Sequence, residues 1–206
     1  QKHQVVMTPN DFAYIDFYQG EVTAEGKVYK GLRMKKTYEF EPLPQGIDPK
    51  YILGGQANLW TEQILSLRSA QYLTWPRSMS IAETLWSAKE KKNWQNFSEK
   101  VEKQFEILDV LNIKHAKSIY DPIVTTITNT KGELIAKMEG EVDNLKFYYS
   151  IDESLPDQFS DEYKGAFVVP SDVTILRIIS YRNGKPIGKM LHIPMESLLS
   201  RAVKTL

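Results

Sequence analysis

Cysteine is absent from the 206-residue chain. That excludes disulfides, thiol nucleophiles and thiolate metal sites. Histidine is scarce: His3, His115 and His192 stand far apart in different segments, and no spacing among them suits a metal site. Neither sign of charge is in excess, with 26 basic and 26 acidic residues. The broad basic footprint of a nucleic-acid binder is therefore missing. No run of about 18 apolar residues occurs, so no membrane-spanning helix is expected. No basic-then-apolar leader is visible either. The chain starts without methionine at "QKHQVV" and enters an apolar stretch almost at once, so it reads as a piece cut from a longer protein. No cofactor and no metal are expected. What is present, 42% hydrophobic and 25% charged residues, suffices for a packed core.

Two textures divide the chain near residue 115. In the first, "QVVMT" and "YILGGQANL" read as short buried strands, the second entered after the Pro- and Gly-rich loop "EPLPQGIDPK". The polar, glycine-dotted stretch between them reads as a long loop with a helical turn near Leu32 to Tyr38. After Glu62 the period lengthens. "PRSMSIAETLWSA" reads as a helix opened by Pro76, preceded by a shorter one, and Phe97, Val101, Phe105, Leu108 and Leu111 mark one face of another. Trp75, Trp86 and Trp94 read as packing residues of these helices. From about Ser118 the residues turn β-branched and aromatic. "PIVTTITNTKGELIAKM", "NLKFYYSID", "GAFVVP", "VTILRIISYRNGKPIGKM" and "LHIPM" predict several short strands, with a tight hairpin at Asn183-Gly184. The expected division is 1–115, mixed α/β, and 116–206, a small β-sandwich.

Two aromatic-acid pairs stand out: Tyr14 with Asp16, and Trp60 with Glu62. In extended chain, residues i and i+2 point the same way. If the two strands run parallel in one sheet, both pairs emerge at carboxyl ends, the edge where α/β proteins bind ligands. A tryptophan can cover the apolar face of a sugar, a carboxylate can accept its hydroxyl protons, and a tyrosine hydroxyl can donate to an amide carbonyl. The combination suits a neutral, hydroxyl-rich ligand. Gly54-Gly55 before Trp60 indicates close backbone approach.

These residues carry a resemblance. "ILGGQANLWTE" with the downstream "YLTWPRSMSIAETLWS" resembles the last barrel strand and helix of the β-N-acetylhexosaminidases of glycoside hydrolase family 20. "VVMTPNDFAYIDFYQ" resembles the strand before it, and "FSEKVEKQFEILDVLNIKH" the closing helix. "FYYSIDESLPDQFSDEYKGAFVVPSDVTILRIISYRNGKPIGK" resembles the small sandwich that follows the barrel in many bacterial members. The resemblance implies an α/β fragment of a (β/α)8 barrel followed by a small all-β, immunoglobulin- or fibronectin-like sandwich. It implies a catalytic role for Tyr14, which would hydrogen-bond the substrate's N-acetyl group. It implies substrate-binding roles for Asp16 and Glu62, on sugar hydroxyls, and for Trp60, as a wall of the pocket. The reaction would be exo-acting release of terminal N-acetylhexosamine by substrate-assisted catalysis, an exception to the two-carboxylate scheme.

The chain departs from that pattern: the arginine that grips the substrate from an early strand and the pocket's other tryptophans have no match here. The family's His-x-Gly-Gly-Asp-Glu run is absent, and the two Asp-Glu dipeptides, Asp152-Glu153 and Asp161-Glu162, sit in turn-like parts of the second half. The fragment alone is therefore expected to be inactive. Its strands are expected to be covered by self-association or by a missing N-terminal segment. The partner is an N-acetylhexosamine-containing glycan, and family analogy puts the parent protein in the periplasm or outside the cell. Two alternatives remain: a non-catalytic carbohydrate-binding or interaction module, and a sandwich that only braces the barrel. Arg77 and Glu83 read as structural, and Tyr148, Tyr149 and Tyr181 as core more than as a sugar-binding face.

Overall fold

The computed structural model describes residues 3–26 and 29–204. The chain forms two compact units: Gln1–Gln19 with Gly26–Ala116, and Gly20–Glu25 with Lys117–Leu206. Residues 20–25, expected in the first segment, thus belong to the second unit.

In chain order the first part carries strand β1 (Val5–Met7), helix α1 (Asn10–Ala13), helix α2 (Val22–Glu25, in the second unit), helix α3 (Met34–Tyr38), strand β2 (Ile52–Gly55) and helices α4 (Leu67–Thr74), α5 (Arg77–Trp86) and α6 (Trp94–Val110). β1 and β2 pair in parallel, Met7 opposite Gly55. A bridge between Tyr14 and Asn58 extends the pairing beyond both strands. Two of the helices, α4 and α6, begin where a side chain replaces a missing backbone partner. Ser66 accepts from the Ser69 amide at 3.1 Å ahead of α4, and Asn93 accepts from the Asn96 amide at 2.9 Å ahead of α6. On α6, Phe97, Val101, Phe105 and Leu108 form the buried face, as their spacing predicts, but Leu111, expected on the same face, caps the helix end and is exposed.

Ala13, Phe40 and Ile81 form a small core, with Met7, Phe12, Ala57 and Leu85 packed against it. Gly55 belongs here. A Cβ on it would lie 2.7 Å from Phe40 Cε1 and 2.9 Å from Leu85 Cδ2. Gly54 adopts φ +138°, a conformation that side chains resist. The glycine pair therefore does two jobs, one steric and one conformational.

Among the described residues the largest fully buried side chain is that of Arg77. Its Nη2 donates to the carbonyls of Ile15 at 2.6 Å and Leu73 at 2.9 Å. Its Nη1 donates to the carbonyl of Leu32 at 3.0 Å. One planar cation thus ties three separated segments.

Two expectations fail in this unit. β1 and β2 are not buried strands: Val5, Val6 and Leu53 are exposed. A strand buried on both faces needs a layer on each side, and among the described residues no third strand joins this sheet. Trp86 is not a packing residue but lies 90% exposed at the end of α5. Trp94 does pack, its ring 5.3 Å from Tyr38 and 6.0 Å from Phe97 between centroids.

The second unit contains β3 (Ile123–Thr128), β4 (Leu134–Glu139), β5 (Lys146–Ser150), β6 (Asp161–Glu162), β7 (Phe167–Val169), β8 (Ile175–Arg182), β9 (Lys185–Pro194), helix α7 (Met195–Ser200) and β10 (Val203–Lys204). They form two four-stranded sheets, β10-β3-β4-β7 and β6-β5-β8-β9. Inward residues of both sheets, among them Val124, Ala136, Met138, Phe147, Leu176, Ile178, Leu191 and Ile193, share one core. The hairpin between β8 and β9 turns at Asn183 and Gly184, φ 51° and 72°, as that dipeptide predicts. Asp161-Glu162, read as a turn, is instead the short strand β6 paired with β5.

The unit is not all β, because α2 and α7 belong to it. Behind α7, Arg201 grips the buried Glu21 with both terminal nitrogens, at 3.0 and 2.9 Å. Lys189 reaches Glu25 at 3.4 Å. These pairs hold residues 20–25 within the unit.

Replacing Arg77 with methionine keeps the volume but removes donors from buried carbonyls. Each orphaned acceptor costs about 1–3 kcal/mol. Denaturant unfolding of Arg77→Met should show a loss of about 3–5 kcal/mol, and a loss below about 1 kcal/mol would refute this account. Gly55→Ala should cost about 1–3 kcal/mol by overpacking, read as a fall in melting temperature.

Candidate functional site

The site starts where the parallel pairing ends. The amide of Asn58 donates to the carbonyl of Ala13, and the amide of Ile15 to the carbonyl of Asn58, both at 2.8 Å. This fixes the chain on either side of Tyr14. Ile15 turns into the core while its carbonyl is held by Arg77. Tyr14 and Asp16, its neighbours, line a hollow on the other side. Two residues beyond Asn58, Trp60 reaches the same hollow, followed by Glu62. The four residues singled out by spacing therefore converge, although they lie beyond the strands β1 and β2, in turns and irregular backbone.

The hollow is about 330 Å³ and is lined by Tyr14, Asp16, Phe17, Tyr29, Trp60 and Glu62. Its aromatic side is continuous. The Tyr14 ring lies edge-on to Trp60 at 5.9 Å and tilted to Phe17 at 5.8 Å, and Phe17 is 5.8 Å from Tyr29. Such tilted pairs are the favoured arrangement of aromatic quadrupoles. Phe17 and Tyr29 were not anticipated. Phe17 is adjacent to Asp16 and so breaks the period-two rule. Tyr29 lies in the glycine-dotted loop, where no periodicity marks a residue.

The two carboxylates sit in opposite environments. Asp16 is 3% exposed, and its Oδ1 has no hydrogen-bond partner. Burial pushes its pKa above the ordinary carboxylate value, its own backbone amide opposes that, the Glu62 charge adds to it and Arg77 opposes it. Glu62 is exposed and accepts a hydrogen bond from the Tyr29 hydroxyl. That bond holds the Glu62 pKa below its usual value and raises that of the Tyr29 phenol. A buried acceptor without a donor, an aromatic wall and a second carboxylate at the rim can together hold a neutral molecule that offers hydroxyl protons. A buried acid near like charge is poorly suited to an anion.

The other candidate acids lie elsewhere. Asp152-Glu153 and Asp161-Glu162 are in the second unit and do not line the hollow. Asp152 accepts from the Ser154 amide and hydroxyl, and Glu153 from the Thr174 hydroxyl at 2.7 Å. Glu162 pairs with Lys164 at 2.7 Å. Tyr181 is buried, and Tyr148 packs on it at 5.1 Å.

Comparison with known proteins bears on the first half. The sequence model "Glycosyl hydrolase family 20, catalytic domain" matches residues 1–89. Residues 1–89 are thus similar to part of a family 20 catalytic domain. A β-hexosaminidase of Porphyromonas gingivalis is 32% identical over 118 residues, covering 55% of this chain and 15% of that protein. A β-N-acetylhexosaminidase of Cellulomonas fimi is 31% identical over 100 residues, covering 47% of this chain and 20% of that protein. The chain thus spans a fifth or less of these relatives. The solved family 20 β-N-acetylhexosaminidase of Streptomyces coelicolor A3(2) superposes with a TM-score of 0.51 at 22% identity, over 56% of this chain and 24% of that one. At that identity the likeness is one of fold alone, a barrel-type segment.

Asp16 allows a test of the site's electrostatics. A raised folded-state pKa means that the ionised form destabilises the fold, so stability from this group falls as pH rises through its titration. Asp16→Asn should therefore raise the melting temperature at pH 7. The gain should shrink as pH falls through the carboxylate range, where wild-type Asp16 takes up its proton. An Asn variant less stable than wild type at pH 7 would contradict the burial argument.

Proposed function

We propose that this chain is the C-terminal part of an exo-acting β-N-acetylhexosaminidase and that its hollow receives the terminal N-acetylhexosamine of a glycan. The observation that carries this reading is the convergence of Tyr14, Asp16, Trp60 and Glu62 on one hollow. The match of residues 1–89 to the family 20 catalytic-domain model supports it, as do the activities named for the relatives. In this reading Tyr14 donates to the acetamido carbonyl, Asp16 and Glu62 accept from ring hydroxyls, and Trp60 lies against the apolar face of the sugar. Catalysis is substrate-assisted, the acetamido oxygen attacking the anomeric carbon. The acid pair that orients the acetamide and protonates the leaving oxygen lies outside this chain. The second unit is an immunoglobulin- or fibronectin-like sandwich accessory to the barrel. A further segment or a second copy covers β1 and β2, and the parent protein works in the periplasm or outside the cell.

A second reading, a carbohydrate-binding module without catalysis, draws on the absence of any Asp-Glu pair from the hollow lining. The two readings part on the mass of the native polypeptide. A longer protein with an upstream acid pair supports the enzyme, and a native chain of this length supports the module.

Both readings expect the purified 206-residue chain to leave aryl N-acetyl-β-glucosaminides uncleaved, and measurable turnover would overturn that division of labour. Both also expect N-acetylglucosamine to perturb Trp60 fluorescence. The response should be lost in Trp60→Ala and weakened about tenfold or more in Asp16→Asn, since charge-assisted hydrogen bonds contribute about 1.5–3 kcal/mol. An unchanged titration in both variants would remove the hollow as the sugar site.

A further inference from the structure

The hollow contains one contact that the sugar reading does not use. The Tyr29 hydroxyl donates to Glu62 Oε1, joining residues 33 positions apart. Glu62 is exposed, and a free carboxylate there would sample several rotamers, an entropy that a ligand would have to quench on binding. Tyr29 is itself held. Its ring packs on Phe17 at 5.8 Å. The next residue, Lys30, pairs with Asp11 and lies over the same Phe17 ring, 5.5 Å from its centroid. One residue further, Gly31 bridges to Tyr18 so closely that a Cβ would meet the Tyr18 ring at 2.7 Å. The amide of Leu32 then donates to the carbonyl of Tyr18 at 2.8 Å, and Arg77 grips the Leu32 carbonyl. Tyr29 also has φ +58°, a left-handed conformation that non-glycine residues adopt where the surroundings over-determine it.

We infer that Tyr29 is a positioning residue of the candidate sugar site, its hydroxyl holding the Glu62 carboxylate in one orientation so that remaining lone pairs of that carboxylate meet a ligand hydroxyl. A carboxylate accepts at about four lone-pair positions, so one bond to Tyr29 leaves room for the ligand. The phenol works through Glu62 and does not itself need to touch the sugar. The inference rests on the functional reading above for the identity of the ligand, but the Tyr29–Glu62 hold is independent of it.

Two variants of the full chain separate this role from packing. Tyr29→Phe keeps the ring on Phe17 and removes the hydroxyl, whereas Tyr29→Ala removes both. Carbon-detected NMR of the Glu62 carboxyl, without ligand, should show its titration midpoint rising in Tyr29→Phe. Affinity for N-acetylglucosamine should fall about threefold to tenfold in the same variant, the range of one hydrogen bond. If Tyr29→Phe matches wild type in both measurements and only Tyr29→Ala differs, the residue merely packs and the inference is overturned. If the Glu62 midpoint rises but the wild-type chain binds no N-acetylglucosamine, the hold stands and the reading of the hollow as a sugar site falls.

Discussion

The guanidinium of Arg77 is the constraint on which the first unit turns. It is sealed from water and donates to the carbonyls of Ile15, Leu32 and Leu73. Ile15 lies between Tyr14 and Asp16, and Leu32 closes the loop that carries Tyr29. A single side chain on α5 therefore fixes two of the segments that present side chains to the hollow. Arginine suits this task because its planar fork directs several donors without rearrangement and remains charged at any working pH. The carbonyls it serves would otherwise be buried acceptors without donors, so the hold is structural before it is functional.

Around that hold the two carboxylates of the candidate site occupy opposite environments. Asp16 is sunk beside Arg77 with an unpartnered oxygen and a pKa driven up by burial, a strain that a hydroxyl donor would relieve. Glu62 stands in solvent with a pKa drawn down by the Tyr29 hydroxyl. Between them the rings of Tyr14, Trp60, Phe17 and Tyr29 supply the apolar surface. Buried polar groups that gain a partner only on binding are what make a site selective for a hydroxyl-bearing ligand.

The second unit obeys a different logic. Its stability comes from two sheets whose inward residues alternate with outward ones, a pattern that period-two reading finds strand by strand. Its surprise is the six-residue visit of Gly20–Glu25, secured by Arg201 on Glu21 across 180 positions of sequence. No local pattern predicts such a visit, because a glutamate in a glycine-dotted loop looks like any solvated charge.

Local spacing in the sequence determined a good deal. Although the buried face of α5 proved to be Arg77, Ser80, Ile81 and Thr84, it pointed to the strand at Gly54-Gly55, most of the buried face of α6, the Asn183-Gly184 hairpin, and the convergence of Tyr14, Asp16, Trp60 and Glu62. Those features depend on periodicity and on backbone chirality, which neighbouring residues impose on one another. Burial and long-range partnership were decided by the tertiary structure alone. Val5, Val6 and Trp86 look like core by composition, yet lie exposed because exposure depends on what packs opposite. Phe17 and Tyr29 join the site, and Asp16 loses its water, because segments distant in sequence meet around Arg77. The physical reason is the same in each case: secondary structure is set by neighbours along the chain, whereas the environment of a side chain is set by neighbours in space.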